Sequence, residues 1–298
     1  DADRLASIVR ESTDEVLTLD MKDSTYEIKG TDSSFIIYSQ DPEQFPAVPT
    51  FTGDTDILVN LDLLKAGTRR CLFATAKESS RYAINGVLWE TKGKKLVLVA
   101  TDGRRLARTR VSLSKAGSEA AEAQNIIVPA KTMTLLERLG ADEKDDVAIK
   151  LAGSHLLISC AHVVINSNLV EGSFPKYDDI IPKDFDKKIM LSCDAVASAV
   201  RRASLLASEE SKGIKLSFSK NSLVFSGRAP EAGMAEINMA IEYDAEPISI
   251  GFNPQFLIDV IKVIPGSEFE MDLGQADRPG LIKCGSDLLD VLMPINLA

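Results

Sequence analysis

The sequence predicts an α+β fold: repeated domains of antiparallel β-sheet with the helices segregated to one face. Three observations predict it. Twin arginines recur 132 positions apart in two helix-like segments, Arg69-Arg70 in LDLLKAGTRRCLFATA and Arg201-Arg202 in CDAVASAVRRASLLAS. Three more segments, DADRLASIVRES (1–12), PAKTMTLLERLG (129–140) and NPQFLIDVIKVI (253–264), open on a turn signal, continue as an amphipathic helix and lead into β-rich sequence. Most of the remainder alternates with period two between turns of the KNS or TDG type. A unit duplicated in this way can build a curved wall or ring in place of a single cleft.

Taken in order, each module reads strand, helix, several strands, loop, second helix, three strands. In the second copy ILVN (57–60) leads into a helix at 61–77, and NGVLWET, KKLVLVATD and RRLARTRVSL follow as strands. The loop SKAGSEAAEAQN, the helix 129–140 and the strands VAIKLAG, HLLISC and HVVINSNLV complete it. The third copy runs IMLS, helix 194–207, GIKLSFS, NSLVFSGR, AEINMAIEY, helix 253–264, FEMDL, LIKCG and DVLMPIN. Phe-Pro follows the last strand of two modules, in QDPEQFPAVPTF (40–51) and EGSFPKYDDIIPKD (171–184), where proline fixes an extended path. The expected divisions are therefore 1–53, 54–182 and 183–298. About 72 residues separate Ile57 from Pro129 and about 64 separate Ile189 from Asn253, yet the first module starts at its second helix. On that arithmetic an N-terminal half-module of roughly 65–70 residues is expected to precede Asp1.

With 298 residues, 45% of them hydrophobic, the chain can bury two or three cores. No run approaches the ~18 apolar residues of a membrane helix and no leader pattern opens the sequence, so no membrane association is expected. The four cysteines, Cys71, Cys160, Cys193 and Cys284, are scattered without a CxxC pair, as expected of small core side chains in a reducing, cytoplasmic setting. Net charge is −10, against bulk attraction to nucleic acid. Locally the balance reverses: residues 60–82 carry +3 and 192–207 carry +1. Catalytic patterns are weak. His155 and His162 fall in strand-like sequence, GKK at 93–95 lacks phosphate-loop spacing, and the carboxylates form no metal-binding cluster. No active site, cofactor or metal is expected.

RYAINGVLWE (81–90), LVLVATDGRRLA (97–107), VEGSFPKYDDIIP (170–182), IGFNPQFLIDVI (250–261) and DVLMPINL (290–297) together resemble the bacterial DNA polymerase III β subunit, the sliding clamp family. The resemblance covers the whole chain. It implies a non-catalytic processivity factor: similarly folded domains pairing head to tail as a homodimeric ring around duplex DNA, without sequence preference. It also implies partners that dock by a short peptide, among them the replicative DNA polymerase, the clamp loader, repair polymerases, mismatch repair proteins and ligase.

On this resemblance Arg69, Arg70, Lys77, Arg81, Tyr82, Arg201 and Arg202 face DNA, with Arg4, Arg10, Lys131, Arg138 and Lys262 on the partner helices as lesser contributors. The partner-peptide pocket maps to Ile84, Thr101, Gly103, Arg104, Arg105, Leu106, Pro175, Ile180, Asn253, Phe256, Met293, Pro294, Ile295 and Leu297. The sequence departs from some relatives there at Asp179, where they carry an arginine, and at Asn296 and the additional Ala298, which bears on peptide preference. Phe35, Ile37, Leu205 and Leu206 match the apolar dimer seam, with Asp32 and Ser34 where some relatives place arginines. Two readings from other classes stand beside this one. A carboxylate-dependent nucleic-acid enzyme would bind divalent metal and turn over DNA; a non-DNA repeat scaffold would not turn its arginine helices toward a hole.

Overall fold

The computed structural model describes residues 1–45, 49–78, 82–140, 145–207 and 213–296. The chain divides into two compact units, Asp1–Pro49 and Thr50–Ala298. In the first, helix α1 (Ala2–Glu11) is capped by Asp1, whose carboxylate accepts from the N–H groups of Asp3 and Arg4. Strands β1 (Thr18–Lys22), β2 (Thr25–Lys29) and β3 (Ser34–Tyr38) follow as an antiparallel sheet in that order. Their register sets Leu19, Ile28 and Phe35 in one row and Met21, Tyr26 and Ile37 in the next, on the same face. Among the described residues of this unit Ile28 alone is buried.

The second unit begins with β4 (Ile57–Asn60), α2 (Leu61–Leu72), β5 (Gly86–Lys92), β6 (Lys95–Thr101) and β7 (Arg105–Ser112). It continues through α3 (Glu119–Ala123), β8 (Ile126–Pro129), α4 (Ala130–Glu137), β9 (Asp146–Ala152), β10 (His155–Cys160) and β11 (Val163–Asn168). The closing set is β12 (Lys187–Ser192), α5 (Cys193–Ser204), β13 (Ile214–Ser219), β14 (Ser222–Ala229), β15 (Gly233–Ala240), β16 (Ile248–Phe252), α6 (Pro254–Ile261), β17 (Glu268–Leu273), β18 (Gly280–Cys284) and β19 (Leu288–Leu292). Every strand pairing is antiparallel among the described residues.

Two four-stranded sheets, β11-β10-β9-β4 and β15-β14-β13-β16, flank an eight-stranded sheet ordered β12-β17-β18-β19-β7-β6-β5-β8. The pairing of β7 with β19 makes the large sheet continuous across the expected division at 182/183. One face carries Leu96, Leu98, Ala107 and Val111, against which α2 packs. The opposite face, with Leu88, Val97, Val99, Leu106, Leu281 and Val291, is covered by the connecting segment through Val170, Phe174, Tyr177, Ile181 and Phe185. Helix α2 comes close because Gly67 faces the sheet: a Cβ there would lie 2.4 Å from Val111 Cγ2.

Three details depart from the sequence reading. Segment 114–125, expected as a loop, contains the short helix α3, started by Ser118, whose Oγ accepts from Ala121 N–H. Helix α2 stops at Leu72, five residues early, as the chain turns to bring Ala76 N–H onto the Ile84 carbonyl. His162 sits in the turn between β10 and β11 and not in a strand; both histidines are exposed.

Buried beneath α2 is one group the hydrophobic pattern does not anticipate. Asp290 on β19 is 1% exposed, and neither carboxylate oxygen has a hydrogen-bond partner among the described residues. It shares its sheet face with Ala107 and Thr109, whose hydroxyl is likewise unpartnered. Burial pushes the Asp290 carboxyl well above its usual range, with Arg105 opposing. The folded state therefore holds this proton more tightly than the unfolded chain, which releases it near pH 4. That contribution to stability is fully present below the unfolded value and is lost as pH rises through the folded one. Asp290→Asn keeps the shape and removes the ionisation cost, so calorimetric unfolding at neutral pH is expected to show a gain of about 1–3 kcal/mol. The gain should shrink toward acid pH; a variant less stable than the parent at neutral pH would contradict the assignment.

Candidate functional site

Four helices of the second unit pack in pairs, α2 with α4 and α5 with α6. The arginine pairs end α2 and α5, where cations suit the carbonyl end of the helix dipole. Asn60 caps α2 by accepting from Asp62 and Leu63, and Ser192 caps α5 by accepting from Ala195. Apolar residues fix which face looks outward: Leu61, Leu64, Gly67, Thr68 and Cys71 are buried on α2, and Val196, Ala197, Ala199, Val200 and Ala203 on α5. Arg69, Arg201 and Arg202 are left exposed and Arg70 half-buried. Lys77 and Tyr82 are exposed beyond the end of α2, whereas Arg81 lies outside the described residues.

The basic side chains are not equally available. On α2, Lys65 Nζ donates to the Leu139 carbonyl at 2.6 Å, just past the end of α4. Arg69 Nε meets Glu137 Oε1 at 3.2 Å. On α5, Arg202 Nε reaches the Ser198 carbonyl of its own helix, at 3.4 Å. Among the described residues neither Arg201 nor Arg202 is ion-paired.

A second constellation gathers around the turn between β6 and β7. Gly103 takes φ +85° there. Thr101 Oγ1 donates to the Arg105 carbonyl at 2.7 Å and accepts from Gly103 N–H at 3.1 Å, while Asp102 accepts from the N–H groups of Arg104 and Arg105. The Arg105 guanidinium joins three elements. Nε donates to Asp102 at 3.0 Å, Nη1 to Asp259 of α6 at 2.7 Å, and Nη2 to the Phe73 carbonyl at the end of α2 at 2.7 Å. It also stacks over Phe256 at 4.3 Å and Phe73 at 5.2 Å.

The chain's last described segment lies against this turn. Met293 N–H donates to the Arg104 carbonyl at 2.9 Å, and Ile295 N–H to the Gly251 carbonyl at 2.9 Å. Arg104, Arg105, Phe256, Asn253, Met293, Pro294 and Ile295 thus come together, with Asn253 capping α6 through Gln255 N–H. Arg105, expected as a pocket contact, spends its donors inside the protein. Ile84, Thr101 and Leu106 are buried and form the base beneath the surface. Exposed Ile180 and half-buried Pro175 lie on the connecting segment, and Leu297 lies outside the described residues.

Two cavities border this region. One of about 510 Å³ is lined by Pro294, Ile295 and Asn296 together with Lys215, Ser249, Ile250, Gly251, Ala276 and Asp277. The other, about 490 Å³, lies between the sheet and the connecting segment, with Leu88, Glu90, Asn125 and Ile127 facing Gly172–Asp179. Pro175 belongs to the second cavity and not to the one holding Pro294. Tyr177 O–H donates to Glu90 at 2.7 Å, and burial together with that bond raises its phenol above the usual range. Sequence reading missed Asp259, Phe73 and Glu137, whose roles come from partners distant in the chain, and Asp102, whose bonds to Arg104 and Arg105 are local to the turn.

The seam residues sit on separate units. Phe35 (39% exposed) and half-buried Ile37 occupy β3, an edge strand. Leu205, 79% exposed, caps α5, and a Cβ on Gly233 of edge strand β15 would lie 3.9 Å from Leu206. Among the described residues no group of His, Cys, Asp and Glu side chains could hold a metal ion, and no helix is long and apolar enough to cross a membrane.

Known proteins agree with this architecture. Residues 58–176 match the family described as DNA polymerase III beta subunit, central domain, and residues 178–296 match its C-terminal domain. The beta sliding clamp of Vibrio cholerae is 28% identical over 284 residues, 95% of this chain and 76% of that protein. That of Pseudomonas putida is 30% identical over 272 residues, 91% and 73%. Among solved structures, the Pseudomonas aeruginosa clamp bound to griselimycin gives a TM-score of 0.89 at 28% identity, covering 99% of this chain and 80% of that one. The Bartonella birtlesii clamp, also bound to griselimycin, gives 0.88 at 30%, covering 99% and 81%. With both domains matched in order along the chain, this protein belongs to the bacterial DNA polymerase III beta subunit family, the beta sliding clamps.

Proposed function

We infer that the chain acts as a processivity factor: it encircles duplex DNA and tethers the replicative polymerase, the clamp loader and repair proteins. It is a non-catalytic subunit. The observation that carries this is the ordered match of central and C-terminal clamp domains, 58–176 and 178–296. In this reading 1–53, 54–182 and 183–298 are three clamp modules, two copies of the protein pair head to tail, and the protein works in the cytoplasm. Helices α2 and α5 face the duplex, with Arg201 and Arg202 the most available cations and Arg70, Lys77 and Tyr82 alongside. An acidic protein with a few basic side chains on one surface draws DNA to that surface and leaves the rest repellent. Weak contact suits sliding, since each phosphate neutralised adds to the hold on one position.

The groove floored by Ile84, Thr101 and Leu106 and edged by Arg104, Phe256, Met293, Pro294 and Ile295 is proposed to take the partner's apolar peptide. Met293, 39% exposed, offers an adaptable apolar contact, and the Arg105 clasp holds the walls before a ligand arrives. Griselimycin, which the Pseudomonas aeruginosa clamp binds, is a practical probe with which to test this groove. Phe35 and Ile37 of one copy against Leu205 and Leu206 of the next form the proposed seam.

Two outcomes are expected. Charge reversal at Arg201 and Arg202 should shorten retention of the assembled protein on nicked circular DNA while leaving its sedimentation as a dimer intact; unaltered retention would remove α5 from the DNA surface. Met293→Asp should weaken a calorimetric titration with a clamp-binding peptide or griselimycin by about tenfold or more, as for an anchor contact. Parent-like affinity in that variant would place the ligand elsewhere.

A further inference from the structure

We propose that Glu137 sets the strength of the clamp's hold on DNA by pairing with Arg69, which holds back one basic side chain of the second module from the phosphates. The inference rests on α2 and α5 facing the duplex, and it distinguishes modules that the repeat alone would treat as equal. Glu137 is the last residue of α4 and meets Arg69 Nε at 3.2 Å with both side chains partly exposed. It is therefore close enough to solvent and to the arginine face for its charge to be felt by a duplex there. One turn earlier on α2, Lys65 is spent on the Leu139 carbonyl at 2.6 Å, so the α2–α4 pair ties up two of the three cations that α2 carries.

Among the described residues the third module shows no such pair. Its second helix, α6, has the same length as α4 and ends at Ile261 where α4 ends at Glu137, and Ile261 is buried. Correspondingly, Arg201 and Arg202 have no acidic partner among the described residues. An exposed pair of this kind contributes little to stability, so replacing the acid leaves the fold in place. Its electrostatic effect on a nearby polyanion is larger, because a carboxylate beside a phosphate contact cancels one counterion-releasing charge.

The test is fluorescence anisotropy of the assembled protein on a short duplex across a salt series, with sliding followed on a nicked circle. Glu137→Gln keeps an acceptor for Arg69 and removes the charge. It should tighten low-salt affinity about two- to fivefold and steepen the logarithmic salt slope by about 0.9 for each protomer touching DNA. Sliding should slow in the same variant. Adding Arg69→Gln should abolish the gain, whereas Arg201→Gln should lower affinity without abolishing it. An unchanged affinity and slope in Glu137→Gln, or a gain that survives Arg69→Gln, would overturn the proposal. If the unmodified protein leaves nicked and linear DNA equally fast, the encirclement reading fails first and takes this proposal with it.

Discussion

The antiparallel pairing of β7 with β19 is the contact through which most of the second compact unit is organised. It joins strands nearly two hundred residues apart in sequence into one eight-stranded sheet, and its end is where Arg105 ties the C-terminus of α2 to α6. A guanidinium held by two carboxylates, a carbonyl and two aromatic rings has little freedom left, so the elements it touches move together or not at all. The same strand end delivers Met293 to the Arg104 carbonyl. The proposed groove is thus a consequence of how β7 and β19 pair.

Charge is distributed with a similar economy. A protein of net charge −10 presents arginines at the ends of two helices and then engages part of that charge internally. Such an arrangement fits a ligand that must be retained by topology and released from any one position. Strong adhesion would serve a stationary binder better. The buried Asp290 shows the opposite treatment of charge, since a dry site favours the protonated, neutral form of its carboxyl.

Much of the fold was legible in the sequence because period-two alternation and the recurring twin arginines are local signals. Gly67 is an example of what was not, for its role depends on Val111 lying across the helix–sheet interface. Helix α3 was hidden in a loop-like stretch because five residues give too short a pattern to read. In the candidate site, Met293, Pro294 and Phe256 could be placed from their motifs. Arg105 could be placed but its part could not, because its partners Phe73 and Asp259 are separated from it by 32 and 154 residues. Glu137 carried no signal at all, being one acid among many until the fold set it beside Arg69.

The central claim is that the basic ends of α2 and α5 surround a double helix. A cryo-electron-microscopy map of the assembled protein on duplex DNA tests it most directly. The account predicts a closed ring with Arg70, Arg201 and Arg202 turned toward the duplex in its hole and the connecting segment 170–185 on the outer surface. A map with these arginines facing away from the DNA, or an assembly that does not close around it, would contradict it.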